Sequence, residues 1–306
     1  MISFRYHLVS IIAVFLGIAL GVVVGTSALN GAVVGDLRHQ VTDAKKNSSA
    51  LAAQNQALRA RSAHADLLAQ TFGGKIAGAA LAKTPVVLIG APGASKQLKD
   101  AMAEQVTAAG GTVAGRLQLS KDFSDPRRAN DIRSLATSGL HPIGLQLPTT
   151  DDAGTLAGAL LGFVLLGHGQ STDLAQVIAG FGTLNMVKAE SPTVAAGKLV
   201  LLVAPGALPK DDEAGRMLLS FGAQLGASTG GPTVVVGDPA SNTAGGLVAL
   251  VRADDAASKA VSTVDDANSP LGELTVALTG ADTVAGRKGH YGTGADSDGL
   301  LPGAGG

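Results

Sequence analysis

The chain has 306 residues, a net charge of −1, 3% aromatic residues and no cysteine. Near-neutral charge without a basic run excludes a nucleic-acid surface, which needs clustered lysine and arginine. The missing cysteines exclude disulfides and thiolate metal sites, and the length predicts one or two domains with a sizeable core.

From Leu8 to Leu29 no side chain is charged. A helix needs about 20 such residues to cross the hydrocarbon core, whereas a secretory signal has an apolar core of about 7–15 followed by small residues. "TSA", Thr26 to Ala28, fits a cleavage site, so a cleaved signal stays open beside the uncleaved anchor that the apolar length favours. Arg5 and the terminal amine precede the segment, while Asp36 and Arg38 offset each other after it. That asymmetry predicts a cytoplasmic N-terminus and an extracytoplasmic 31–306. Ala13, Gly17, Gly21 and Gly25 recur at every fourth position and share one helical face. Such a face lets two helix backbones approach closely in lipid; the plainer alternative is that glycine is common in membrane helices and in this chain.

A heptad follows. Leu37, Ala44, Leu51, Leu58, Ala65 and Phe72 occupy d positions, and Val34, Val41, Ser48, Asn55, Ser62 and Ala69 occupy a positions. Apolar d positions sustained over about five repeats predict a coiled coil, and asparagine at one a position favours a parallel dimer. The many small and polar seam residues leave open a single stalk helix lying on its own globular domain. "FGGKIAGAAL", Phe72 to Leu81, reads as the linker that ends the helix.

"TPVVLIGAPG", Thr84 to Gly93, is a continuous apolar run closed by Pro-Gly, which predicts a buried parallel strand. A helix over about Ser95 to Ala109 and a strand in "GGTVAGRLQL" follow. "KLVLLVAPGALP", Lys198 to Pro209, repeats the pattern, with a helix around Asp211 to Leu225 and the strand "PTVVVGD" after it. Two βαβ units predict an α/β fold with a doubly wound parallel sheet. "TLAGALLGFVLL", Thr155 to Leu166, is too short to span a membrane and reads as a core helix. "VSTVDDANSPLGELTVALTG", Val261 to Gly280, reads as strand, loop and capped helix. The expected organisation is a transmembrane anchor at 1–30, a coiled-coil stalk and linker at 31–83, an α/β domain at 84–285, and a poorly packed glycine-rich tail at 286–306.

Chemistry is sparse. "IGAPG" and "VAPG" stand at strand C-termini, where doubly wound folds bind ligands, yet neither is a dinucleotide fingerprint. A remnant crevice without catalytic role is expected there. His168 in "LLGHGQS" reads as a turn residue, since no G-x-S-x-G elbow accompanies it. Asp265 and Asp266 pair two carboxylates, but an acidic loop before a helix more often supplies its cap. The six histidines show no HxH, HxxH or HxxxH spacing, and Met102, Met186 and Met217 are scattered. A β-barrel pore is not predicted, because the strands are continuously apolar and separated by helices.

The opening "MISFRYHLVSIIAVFLGIALGVVVG", the block "VSTVDDANSPLGELTVAL" and the ending "GHYGTGADSDGLLPG" resemble the actinobacterial copper transport family named for MctB. The resemblance covers nearly the whole chain. It implies a role in copper homeostasis, with an outer-membrane channel proposed for the family. Copper is the one ion it implies; no tightly bound cofactor is expected, and no ligand set carries over. Family members also resemble SteB, a membrane-anchored coiled-coil septation factor proposed to act on a peptidoglycan hydrolase outside the cell. Together these expectations describe a non-catalytic, membrane-anchored cell-envelope protein of the copper transport family, present as a parallel homodimer. The alternative is a division scaffold that binds a cell-wall hydrolase.

Overall fold

The computed structural model describes residues 4–138, 141–210 and 212–303, apart from the side chains of 4, 27–36 and 229. Ser27 and Ala28 of the expected cleavage site, the a position Val34, the helix residue Asp211 and the tail end at 304–306 lie outside that description. The chain divides into two compact units, Met1–His64 and Ala65–Gly306. Helix α1 (Phe4–Ala77) belongs to both.

In the first unit the stretch Arg5–Thr26 is apolar and exposed. The expected helix end at Phe72 is corrected: α1 runs on through Gly73 and Gly74 to Ala77. Each glycine costs a helix only about 1 kcal/mol, and burial of Ala69, Ala77 and Leu81 in the core of the second unit offsets it.

The second unit is built on a seven-stranded sheet of order β3-β2-β1-β4-β5-β6-β7. Strand β1 (Pro85–Gly90) lies between β2 (Thr112–Leu119) and β4 (Leu199–Val203), parallel to both. Helix α2 (Lys96–Ala108), capped by the Ser95 hydroxyl, makes the first crossover. After β2 come α3 (Ala129–Ala136), α4 (Ala153–Leu165), α5 (Ser171–Thr183) and the short antiparallel edge strand β3 (Val187–Ala189). Beyond β4, α6 (Glu213–Ala227) leads to β5 (Thr233–Val236), and α7 (Leu247–Ala253) and α8 (Asp255–Ala260) lead to β6 (Ser262–Val264). Helix α9 (Pro270–Val284) and β7 (His290–Tyr291) close the fold.

The central strands are apolar on both faces because both faces are covered. Val87, Ile89, Val200, Leu202 and Val235 point into the core under α3 to α8. Their neighbours Val86, Leu88, Leu201, Val203 and Val234 point into the core under α2, α9 and the end of α1. The doubly wound fold is therefore as expected, with one antiparallel edge added.

The apolar helix α4 is buried over nearly its whole length. Its glycines Gly154, Gly158 and Gly162 face α6: a methyl at Gly154 would overlap the Met217 carbonyl, and one at Gly158 would lie 2.8 Å from that of Phe221. Two backbones touch there because side chains are missing.

The expectation of a poorly packed tail is also corrected. His290 and Tyr291 pair with Thr263 and Val264 as the seventh strand, and the loop after them is hydrogen-bonded to the end of β6.

Candidate functional site

The two "APG" turns are partners in space. Ala91 N–H donates to the Val203 carbonyl at 2.9 Å, and Ala204 N–H donates to that of Val236 at 2.7 Å. Those are the last ladder bonds of β1 and β4. Pro92 and Pro205 then lack an N–H to continue the ladder, and Gly93, at φ +84°, turns away in the left-handed region. The strands diverge at the point where the order of the sheet reverses, which is where open α/β sheets hold ligands. A cavity of 580 Å³ opens there.

One wall is the short 3₁₀ turn Lys121–Ser124 after β2. It is anchored by Phe123, fully buried and edge-on to Phe221 at 5.0 Å. That anchor presents Lys121 and Ser124 to the cavity. The other wall is the turn through Pro205 and Pro209 into α6, where Asp212 caps the helix by accepting from Ala214 N–H at 3.2 Å. Asp125 also lines the cavity, but its carboxyl is engaged by Arg127 and held down at about 2, chiefly by that side-chain hydrogen bond.

The acidic pair divides into two unlike residues, and neither caps α9. Ser269 does, accepting from Gly272 N–H at 2.9 Å. Asp265 forms a buried ion pair with Arg252 of α7, Nη1 to Oδ2 at 2.6 Å. It also accepts from the N–H groups of Thr293 at 2.7 Å and Gly294 at 3.1 Å. Arg252 spends its other donors on Thr263, Asp296 and the Tyr291 carbonyl. Burial, then the Arg252 charge, push the His290 imidazole below its usual value, and its Nδ1 lies 3.0 Å from the Thr263 hydroxyl. Asp266 is buried with Oδ1 unpartnered, and burial and the Asp265 charge raise its carboxyl to about 6. The acidic pair and its partners hold the tail in place; nothing in the cluster resembles a nucleophile with its base.

Along α1 the expected faces are open. A methyl added at Gly17, Gly21 or Gly25 would meet nothing within 4 Å, and Ala13 is exposed. Within the first unit Leu37, Val41, Ala44, Leu51, Asn55 and Leu58 are exposed, and in the second unit Phe72 is exposed. Ala69 is buried in the second unit.

Among the described residues no three His, Cys, Asp or Glu side chains lie together as a metal-holding group. His7, His39 and His64 are exposed on α1, His141 is exposed, and His168 sits in a turn beside Phe163 at 5.9 Å. Met102, Met186 and Met217 are core residues, the first on one face of the sheet and the other two on the other. Sequence reasoning missed Lys121, Ser124, Arg252 and Asp296. Nothing local in "LSKDFSDPRR" marks the first two, and the last two matter only through Asp265.

Residues 1–302 match the family model described as copper transport outer membrane protein, MctB. The copper transporter MctB of Mycobacterium tuberculosis is 33% identical over 305 residues, covering 96% of this chain and 97% of its own length. That of Mycobacterium leprae is 32% identical over 309 residues with the same coverage. The chain belongs to the MctB family.

Proposed function

We propose that this member of the MctB copper transport family is a non-catalytic envelope protein. It would be anchored by one membrane helix, with its N-terminus in the cytoplasm and residues 31–306 outside, and it would work as a parallel homodimer. Copper is then its cargo or its signal. The dispersal of histidine and methionine over exposed helix, turns and core favours a protein that assists copper movement through a partner or a second copy over one that stores the ion in a site of its own.

The observation that carries the reading is the heptad spacing of the exposed Leu37, Val41, Leu51 and Leu58 on a helix continuous with the apolar stretch. Exposed leucine, valine and phenylalanine at heptad spacing gain most by pairing with another helix. The same observation favours a second reading, an envelope scaffold in cell division whose stalk binds a peptidoglycan hydrolase. Two measurements separate them. Deleting the gene lowers copper tolerance and raises cell copper content on the first reading, and leaves both unchanged on the second. Light scattering of the full chain in detergent gives a dimer on the homodimer reading; a monomer insensitive to Asn55→Leu removes it.

A further inference from the structure

The last turns of α1 are packed inside out. They belong to the second unit, Ala65–Gly306. What they bury there is small: Ala69 and Ala77 lie in its core, and a methyl added at Gly73 would meet Leu274 of α9 at 3.9 Å. What they leave outside is large. Leu68 is 59% exposed, Phe72 47% and Ile76 58%. Residues four apart share a helical face, so these three form one apolar stripe beside the buried row of Ala69, Gly73 and Ala77. A helix lying on its own domain normally turns its large apolar residues inward. Single exposed apolar residues need no explanation, whereas a stripe in register marks a contact surface. The spacing also points to what covers it. In sequence Phe72 continues the d row of Leu51 and Leu58, and Ile76 continues the a row of Val41 and Asn55. Only Ala69 is withdrawn from the a row, because its own unit covers it.

We propose that the α/β unit carries a self-association contact of its own: Leu68, Phe72 and Ile76 pack against the same residues of a second copy, the two helices parallel. The inference rests on the homodimer reading and extends it from the stalk to the root of each α/β unit. A two-fold pair of parallel helices sets each residue of the stripe beside its own copy. None of the three is charged, so the pairing brings no like charges together. Apolar residues at heptad spacing fit the holes of a like helix, which favours a second copy over a partner of other shape. Because Ala69 and Gly73 fix these turns to the core, the contact would hold two α/β units side by side rather than leave them swinging on a paired stalk.

The chain has no cysteine, so a single introduced thiol reports its neighbour. Full chains in detergent carrying Leu68→Cys, Phe72→Cys or Ile76→Cys are treated with a short bismaleimide, and each rate of dimer formation is divided by that of labelling with N-ethylmaleimide. Leu67→Cys and Thr71→Cys, exposed on the other side of the same turns, are the references. All five side chains are exposed, so the substitutions leave the core intact. Cross-linking several times faster at Leu68, Phe72 and Ile76 than at the references is expected. Leu51→Cys reads the stalk separately. Cross-linking at Leu51 with no excess at Leu68, Phe72 and Ile76 would overturn this contact, leave the homodimer reading standing and give the stripe to another protein. No cross-linking at any position would overturn both.

Discussion

Arg252 Nη1 lies 2.6 Å from Oδ2 of Asp265, and both side chains are shut away from solvent. The pair joins α7 to the end of β6, and through the Thr293 and Gly294 amides it holds the last strand and its loop. Removing one partner of a buried pair strands the other charge and typically costs about 3–5 kcal/mol. Asp265→Ala should therefore lower the unfolding free energy read from urea titration by an amount in that range and open the segment after Arg287 to limited proteolysis. A loss under about 1 kcal/mol would mean that water reaches Arg252.

The tail also depends on the residue that wraps Asp265. Gly292 has φ +131°, and a methyl there would overlap the Asp265 carboxylate. Gly286 has φ +83°, but a methyl there meets nothing within 4 Å. Alanine at Gly286 adds backbone strain alone, about 1 kcal/mol. Alanine at Gly292 adds the clash, so its cost in the same unfolding measurement should be larger by about 1–3 kcal/mol. Equal costs would show that the loop shifts freely and that the carboxylate does not position it.

The parts of the fold that were legible are those with long local signals. "VVLIG" and "LVLLV" are continuous apolar runs, and such runs are buried on both faces, so the doubly wound sheet followed from them. Val187–Ala189 and His290–Tyr291 are too short to show a period, and their strand character comes from pairing with residues far away in sequence. The crevice was legible from its prolines and glycines; its polar wall was not, because Phe123 orients Ser124 through a contact with Phe221 in another helix. Local rules read the Asp-Asp pair as a cap because they carry no information about Arg252.

Asp266 makes stability depend on pH. Burial, then the neighbouring Asp265 charge, raise its carboxyl from 3.8 to about 6 in the folded protein. Below about pH 4 both folded and unfolded forms carry the proton, and no penalty exists. Between about 4 and 6 the unfolded carboxyl has ionised while the folded one has not, so stability falls as pH rises. Above about 6 the penalty is complete and constant, at most about 3 kcal/mol for a window of this width. Asp266→Asn should flatten that slope and make the protein more stable than wild type at pH 7 and no more stable at pH 4. Urea titrations at the two pH values decide it; the opposite sign would place an unrecognised cation beside Asp266.

The glycine row of α1 makes the sharpest contrast with the row in α4. Both repeat every fourth residue. In α4 the row is occupied: added methyl groups at Gly154 and Gly158 would strike backbone and side-chain atoms of α6. In α1 the same additions at Gly17, Gly21 and Gly25 strike nothing. Gly21→Ile is therefore harmless to an isolated chain, and isoleucine is itself a good membrane residue. Any loss must come from a surface outside the chain. If two copies pack through this face, the substitution forces their backbones apart and should reduce the dimer association constant in micelles about tenfold or more. Val23→Ile, off the row, should leave it unchanged. Förster transfer between labelled chains in detergent reads both. An unchanged signal at Gly21 would remove the glycine face from the dimer contact.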